Sequence, residues 1–417
     1  MNAAAASRQD GASVGASVEA AADDPVRRLR DAIDPTTVQR VLVTMLRHHG
    51  DVLLSTPVHA MLRRALPAVE VDALVYRETR PIVEGSPHLA QVHVVDRDWK
   101  KGGPLAHVAA EARLLATLRR RRYDLVVHLT GQRRGAWLVR ALGPRYAVAP
   151  RLADEAGLAG RFWRRSFTHR FANASSVPPG AALARRHVVE QNLDALRRLG
   201  IAIAEPPALT MAVGDAAEGE AAALLARLGV DGPFVAMQPT SRWRFKCWPV
   251  ASNAALIASL LRRGETVVLS CAPDADERRM IAAIVAAVDA LPDVPRERLK
   301  VADDGGTLNR LAALIARARL FVGIDSAPMH IAAAMQVPTV ALFGPSGEFN
   351  WRPWRVAHRV VRHDGYPCRP CGQDGCGGGK ISDCLVRLPV DAVVAAIDDL
   401  DRELGAVATA SGPPRLA

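Results

Sequence analysis

The sequence predicts an α/β protein built on doubly wound, mostly parallel sheets, and three observations carry that prediction. Short runs of β-branched and apolar residues alternate with segments of helical period along most of the chain, and uninterrupted apolar runs mark strands buried on both faces. The 417 residues exceed what one hydrophobic core ordinarily serves, so two domains of similar size are expected. The polar stretches 47–51, 239–248 and 325–326 each follow a strand-like run and precede a helix-like one. That is where open α/β sheets gather their ligands.

In order, residues 1–38 are rich in Ala, Ser, Gly and Asp and read as a disordered tail. They lack both a basic start and an apolar signal core, which argues against export and for the cytoplasm. A first domain is expected over 39–204. It opens on the strand 40–46 (RVLVTML), followed by RHHGD with Gly50 at a sharp turn and Asp51 at the strand's carboxyl end. A helix from Thr56-Pro57 to residue 65 comes next, then strands 71–76 and 91–95, a basic helix 104–121 and a strand 124–130. Arg133 and Arg134, just beyond that strand, are candidates to hold an anionic acceptor, against the plain reading of solvated arginines. Residues 182–200 carry helical periodicity up to a Gly stop, and Pro206-Pro207 marks a hinge.

The second domain, 205–388, repeats the alternation. Strands are expected at 234–238 and 266–271, and helices at 251–263, 276–287 and 308–317. It closes on LFVGIDSAPMHIAAAMQVPTVALFGP: strand 320–324, a polar turn, a helix with Pro328 in its first turn, and strand 339–343. Free N–H groups at that helix start and the helix dipole favour phosphate. Ser326 and His330, four apart, can share one helix face. Taken singly, Ser326 reads equally as an N-cap, Asp325 as a turn carboxylate and His330 as a packed core residue. Together at a strand's end they favour a site. In PTSRWRFKCW (239–248), Thr240 and Ser241 supply hydroxyls and Lys246 a point charge for phosphate, against a cap and a surface lysine. A helix 389–404 and a disordered tail 405–417 end the chain.

Hydrophobic residues make up 49% and charged residues 23%, and no apolar run reaches the length of a membrane span. Lys and Arg number 54 against 43 Asp and Glu, a net charge of +11 that draws the chain toward phosphate-bearing partners: nucleic acid, an anionic membrane surface or a phosphorylated substrate. No nucleic-acid recognition pattern accompanies it, and nucleic acid is not expected as a partner. Cys247 and Cys271 are isolated. Cys368, Cys371, Cys376 and Cys384 form C-x2-C-x4-C-x7-C among glycines. Four thiolates at that density can close around zinc or iron, yet the later spacings match no standard knuckle, so four reduced thiols stand as the other reading.

The segments RHHGDVLLSTPVHAMLRRALP, QPTSRWRFKCWP and GIDSAPMHIAAAMQVPTVALFGP, in this order and spacing, together resemble glycosyltransferase family nine, the heptosyltransferases of the lipopolysaccharide inner core. The Arg-Trp-Arg-Phe-Lys-Cys-Trp loop and the Cys-rich segment look most like the heptosyltransferase III subgroup. The resemblance implies a GT-B architecture, two Rossmann-like domains across a cleft, and metal-independent transfer with inversion from ADP-heptose without a cofactor. It implies Asp51 as general base; Lys246, Thr240 and Ser241 on the diphosphate; Asp325, Ser326, Ala327 and His330 in the donor pocket; and Asp274 or Glu277 on the ribose. Ala327 departs from the Gly often found there. A different GT-B enzyme, such as a nucleotide-sugar epimerase, and a non-catalytic nucleotide-sugar binder remain the alternatives.

Overall fold

The computed structural model describes residues 32–178, 181–302 and 305–410. Twelve strands among them form two sheets. In chain order they are β1 Arg40–Thr44, β2 Glu70–Tyr76, β3 Gln91–Val95, β4 Leu125–His128, β5 Tyr146–Pro150, β6 His169–Phe171, β7 Phe234–Gln238, β8 Thr266–Ser270, β9 Leu299–Ala302, β10 Leu320–Ile324, β11 Thr339–Phe343 and β12 His358–Arg362. The first sheet has the order β3-β2-β1-β4-β5-β6 and the second β12-β11-β10-β7-β8-β9. All neighbours in both sheets pair in parallel. Renumbered within its own lobe, the second sheet has the same order as the first. This is the doubly wound Rossmann topology, twice.

The two-sided burial expected of the apolar runs is visible residue by residue. In β1, Val41 and Val43 face one core while Leu42 faces another. In β11, Ala341 and Phe343 face the first core while Val340 and Leu342 face a third. The first core joins the lobes, since Val52, Leu54 and Leu62 belong to the same packed cluster as Ile315, Met329 and Phe343. The connection after the first lobe is pinned down: Trp354 Nε1 donates to the Pro207 carbonyl at 2.9 Å, and Thr210 N donates to Thr56 Oγ1 at 3.0 Å.

Several expectations need correction. Residues 32–38 are not tail: Ile33 and Val38 are buried, and Ile33 N donates to Leu199 O at 3.1 Å. The rest of the amino-terminal tail, 1–31, lies outside the described residues. The 182–200 helix is broken into a turn Ala182–Arg185 and a helix Val188–Arg198, because His187 stands extended and its Nδ1 accepts from Val189 N at 3.2 Å as an N-cap. The last helix runs Val390–Ala410, past residue 404, with Val393, Ile397 and Leu400 buried against the second sheet. Strands β5, β6, β9 and β12 carry no clear signal in the sequence. The last three form or adjoin sheet edges, and their Arg, Lys and His interrupt the apolar pattern.

Candidate active site

In each sheet the chain leaves the central pair of strands in opposite directions, opening a crevice at their carboxyl ends: between β1 and β4 in one lobe, β7 and β10 in the other. The two crevices face each other across a cleft of about 630 Å³, a volume in the range of sites that take a whole small ligand. Arg47 to Asp51, Glu78, Thr79 and Arg97 line it from the first lobe. Thr240 to Trp243, Lys246, Asp274, Glu277, Asp325 to Pro328 and His330 line it from the second.

On the second lobe, β10 ends at Ile324 and, after Asp325 and Ser326, the helix Ala327–Ala334 begins, with Pro328 in its first turn. Ser326 occupies the N-cap position in extended backbone but makes no side-chain cap, its Oγ donating instead to Ile324 O at 3.3 Å. Pro328 brings no N–H and Met329 N donates to Ser326 O at 3.2 Å, so the amide at this helix start that lacks the acceptor an N-cap side chain supplies is that of Ala327, at the mouth of the cleft. Asp325 is buried and accepts from Lys246 Nζ at 2.6 Å through Oδ2, with Asp325 O at 3.4 Å. The lysine was read from sequence as a solitary charge. It is instead held by Asp325 through two of its N–H donors, which leaves the third for the cleft that Lys246 lines.

His330 is buried, and burial pushes its imidazole down to about 4, a shift opposed by Asp325 and reinforced by Lys246. It is a neutral ring at pH 7, and its Nδ1 has no hydrogen-bond partner among the described residues. The ring lies against Gly50 of the other lobe: a Cβ there would stand 3.1 Å from His330 Cδ2. The small residue thus serves close approach between the lobes; it does not make the sharp turn expected from sequence, since Gly50 lies inside the helix His49–Leu53 and has no left-handed φ.

Asp51 sits inside the short helix His49–Leu53, not at the bare end of β1. One oxygen accepts from His48 N at 3.3 Å and lies 3.6 Å from Arg47 Nε, while the side chain keeps 17% exposure toward the cleft. Capping and cleft-facing positions thus coincide in one residue. His49 Nε2 donates to Glu78 O at 2.8 Å, and burial lowers the pKa of His48 and of His49.

The remaining second-lobe residues are arranged around Glu277. Buried Thr240 donates to Glu277 Oε2 at 2.7 Å, and Ala272 N donates to the same oxygen at 3.2 Å. Asp274 caps the helix Ala275–Asp289 by accepting from Asp276 N at 2.9 Å and Glu277 N at 3.2 Å. Ser241 Oγ accepts from Trp243 N at 3.1 Å. Of the tryptophans flanking Lys246, Trp248 is fully buried with Nε1 donating to Leu388 O, whereas Trp243 is exposed and carries Arg242 over its ring. Arg242 has no carboxylate partner among the described residues, which leaves its charge free in the cleft.

Arg133 and Arg134 do not line this cleft. They open the helix Arg133–Leu142, and Arg134 is paired with Glu111 at 2.6 Å, so its charge is spent within the first lobe. The sequence reading missed the apolar wall made by Ala302, Leu308, Leu311 and Leu314. Its local signal was Thr307, which caps the helix Leu308–Ala316 by accepting from Arg310 N at 3.1 Å.

Two Rossmann lobes whose switch points confront each other across a cleft define the GT-B architecture. Comparison with known proteins is specific: the model for glycosyltransferase family 9 (heptosyltransferase) matches residues 111–381. The chain belongs to that family. It is 37% identical over 309 residues to lipopolysaccharide heptosyltransferase 3 of Escherichia coli, covering 74% of this chain and 84% of the relative. Among solved structures, a family 9 glycosyl transferase from Veillonella parvula superposes with a TM-score of 0.70 at 23% identity, covering 89% of this chain and 98% of the other. E. coli heptosyltransferase WaaC with ADP superposes with a TM-score of 0.62 at 19% identity, covering 87% and 100%. These likenesses bear out the expected family and the two-lobed fold.

The cysteine-rich segment packs beside β11, with Gly372 N donating to Pro345 O at 3.0 Å. Cys368 and Cys376 are exposed, Cys384 is buried, and no disulfide joins any of the six cysteines among the described residues. Among the described residues no three His, Cys, Asp or Glu side chains are set to hold a metal ion. Burial pushes the Cys247 thiol up to about 11 and raises that of Cys384. Titration of the reduced native protein with a disulfide reagent should therefore modify Cys368 and Cys376 first, and Cys247 and Cys384 only on unfolding. If Cys368 and Cys376 proved protected until a chelator was added, the reading of free thiols would be wrong.

Proposed function

We propose that this glycosyltransferase moves a heptose from an ADP-heptose donor to a sugar hydroxyl of the lipopolysaccharide inner core, with inversion and without a metal ion, in the cytoplasm. The observation that carries the reading is the juxtaposition of the Asp51 carboxylate on one wall with Lys246, Asp325 and the start of the helix Ala327–Ala334 on the other. The family match and the E. coli heptosyltransferase 3 relative support the substrates.

In this mechanism the donor's diphosphate lies against Lys246 Nζ and the Ala327 N–H at the start of the helix Ala327–Ala334, with Arg242 nearby. Its adenine occupies the apolar wall of Leu308, Leu311 and Leu314, and its ribose lies near Asp274 or Glu277. The acceptor oxygen attacks the anomeric carbon from the face opposite the diphosphate. As the C–O bond to phosphate breaks, Asp51 takes the hydroxyl proton, ADP leaves and the anomeric configuration inverts. Negative charge grows on the departing diphosphate, where fixed donors stabilise it most. Lys246, the Ala327 amide and the helix dipole supply at that point what a divalent cation supplies elsewhere.

Incubating the purified protein with ADP-heptose and a heptose-terminated core acceptor should give transfer that persists in excess chelator. Lys246→Ala should lower kcat/KM at least about a hundredfold, the scale of losing a charged donor at a developing oxyanion. Dependence of the rate on added Mg²⁺, or an unaltered Lys246→Ala enzyme, would overturn this assignment.

A further inference from the structure

The outer face of the first lobe carries an unpartnered mixture of apolar and basic side chains. Right-handed crossovers put the helices Gly103–Arg121, Arg133–Leu142 and Gly157–Ser166 on one face of the first sheet. They form a continuous surface: Arg134 bridges to Glu111 between the first two, and Trp137 packs at a tilt on Phe162, ring centroids 4.5 Å apart, between the last two. Seven large apolar side chains are exposed among the described residues, and four of them, Leu105, Val108, Trp137 and Leu158, lie here. Leu105 is 87% exposed, Leu158 79% and Trp137 66%. All four fall in the first halves of their helices, which follow the carboxyl ends of β3, β4 and β5. The exposed apolar groups therefore gather at the end of the lobe where the cleft opens.

Charge accompanies them. Of the ten arginines in the three helices, Arg119, Arg120, Arg121, Arg140, Arg164 and Arg165 lie in the last turns, away from the apolar groups, and Arg121 is paired there with Glu70 and Asp72. Arg113, Arg133, Arg134 and Arg161 stand nearer, and Glu111, the partner of Arg134, is the one acid of the three helices. Lys100 and Arg161 are exposed without a carboxylate partner among the described residues.

We propose that this face docks on an anionic lipid bilayer, inserting Leu105, Trp137 and Leu158 among the acyl chains while the surrounding cations meet phosphate headgroups. Isolated apolar side chains standing among cations suit a fluid surface better than a protein groove, and tryptophan favours the membrane interface. The accumulated positive charge selects anionic headgroups. The choice of a bilayer also rests in part on the proposed acceptor, a glycolipid: the docked face would bring the cleft to the sugars that rise from the membrane.

The test is co-sedimentation of the full chain with vesicles of phosphatidylcholine alone or with added phosphatidylglycerol. The protein should pellet with the anionic vesicles, stay in solution with the neutral ones, and be released by high salt. The variant Leu105→Ser/Trp137→Ser/Leu158→Ser, checked for an unchanged thermal melt, should bind anionic vesicles at least about tenfold more weakly. It should lose turnover on an acceptor embedded in vesicles and keep it on a water-soluble, deacylated acceptor. No sedimentation of the parent chain, equal binding to neutral vesicles, or undiminished binding of the variant would overturn the proposal. Sedimentation needs no turnover, so its outcome is separate from that of the transferase reading.

Discussion

Asp51→Asn should fold normally and bind donor with little change while turnover falls at least about a hundredfold, the usual scale for losing a general base. The asparagine keeps the size and one oxygen of the side chain. It can still accept from His48 N, the cap that Asp51 provides to the helix His49–Leu53. The 3.6 Å contact with Arg47 is partly exposed and contributes little to stability. What disappears is the ability to take a proton from the acceptor hydroxyl. Steady-state kinetics against each substrate, with a thermal melt of both proteins, separate these effects. A variant within a few-fold of the parent in kcat would remove Asp51 from the chemistry and leave it as a cap alone.

Acid should destabilise this protein well before its carboxylates protonate. Burial pushes His59 and His187 down to about 3, and His128 and His330 down to about 4. Each is neutral in the folded chain down to that range, whereas in the unfolded chain it takes a proton near pH 6.5. A folded-state pKa below the unfolded one gives stability that is fully present above pH 6.5 and is lost as the pH falls toward the folded value. Each histidine removes up to about 1.4 kcal/mol per pH unit in that window. From pH 7.5 to 5 the four together remove on the order of 8 kcal/mol at most, comparable with the stability of a whole domain. Urea unfolding at those two pH values checks this. A free energy that stays level between them would show that these rings are not buried as described. His59→Leu should reduce the pH slope by about one proton, since its Nδ1 has no partner among the described residues.

The strands covered on both faces are legible in the sequence as uninterrupted apolar runs. β7, β10 and β11 each read as an apolar run with the bounds observed. Of the edge strands, β3 is legible but β6, β9 and β12 are not, since β12 (HRVVR) and β9 (LKVA) mix charge with apolar residues and gain their identity only by pairing. The same division runs through the cleft. Turn residues following a strand announce themselves locally, and so Thr240, Asp274, Asp325 and Ser326 could be picked out one by one. Arg133 and Arg134 met the same local criterion, but the helix they begin turns them elsewhere and Glu111 neutralises one of them.

Composition, apolar period and the order of three short motifs were enough to determine the class of fold, its duplication and the family, because those properties depend on which residues neighbour one another along the chain. Tertiary structure alone decided that Lys246 is held by Asp325, that Gly50 makes room for His330, and that both lobes share a core. It also decided which of the many arginines face the cleft and which form an outer surface. These are relations between positions distant in sequence. They exist only once burial of apolar surface has drawn the two sheets together, and no local pattern encodes the direction in which a long charged side chain then points.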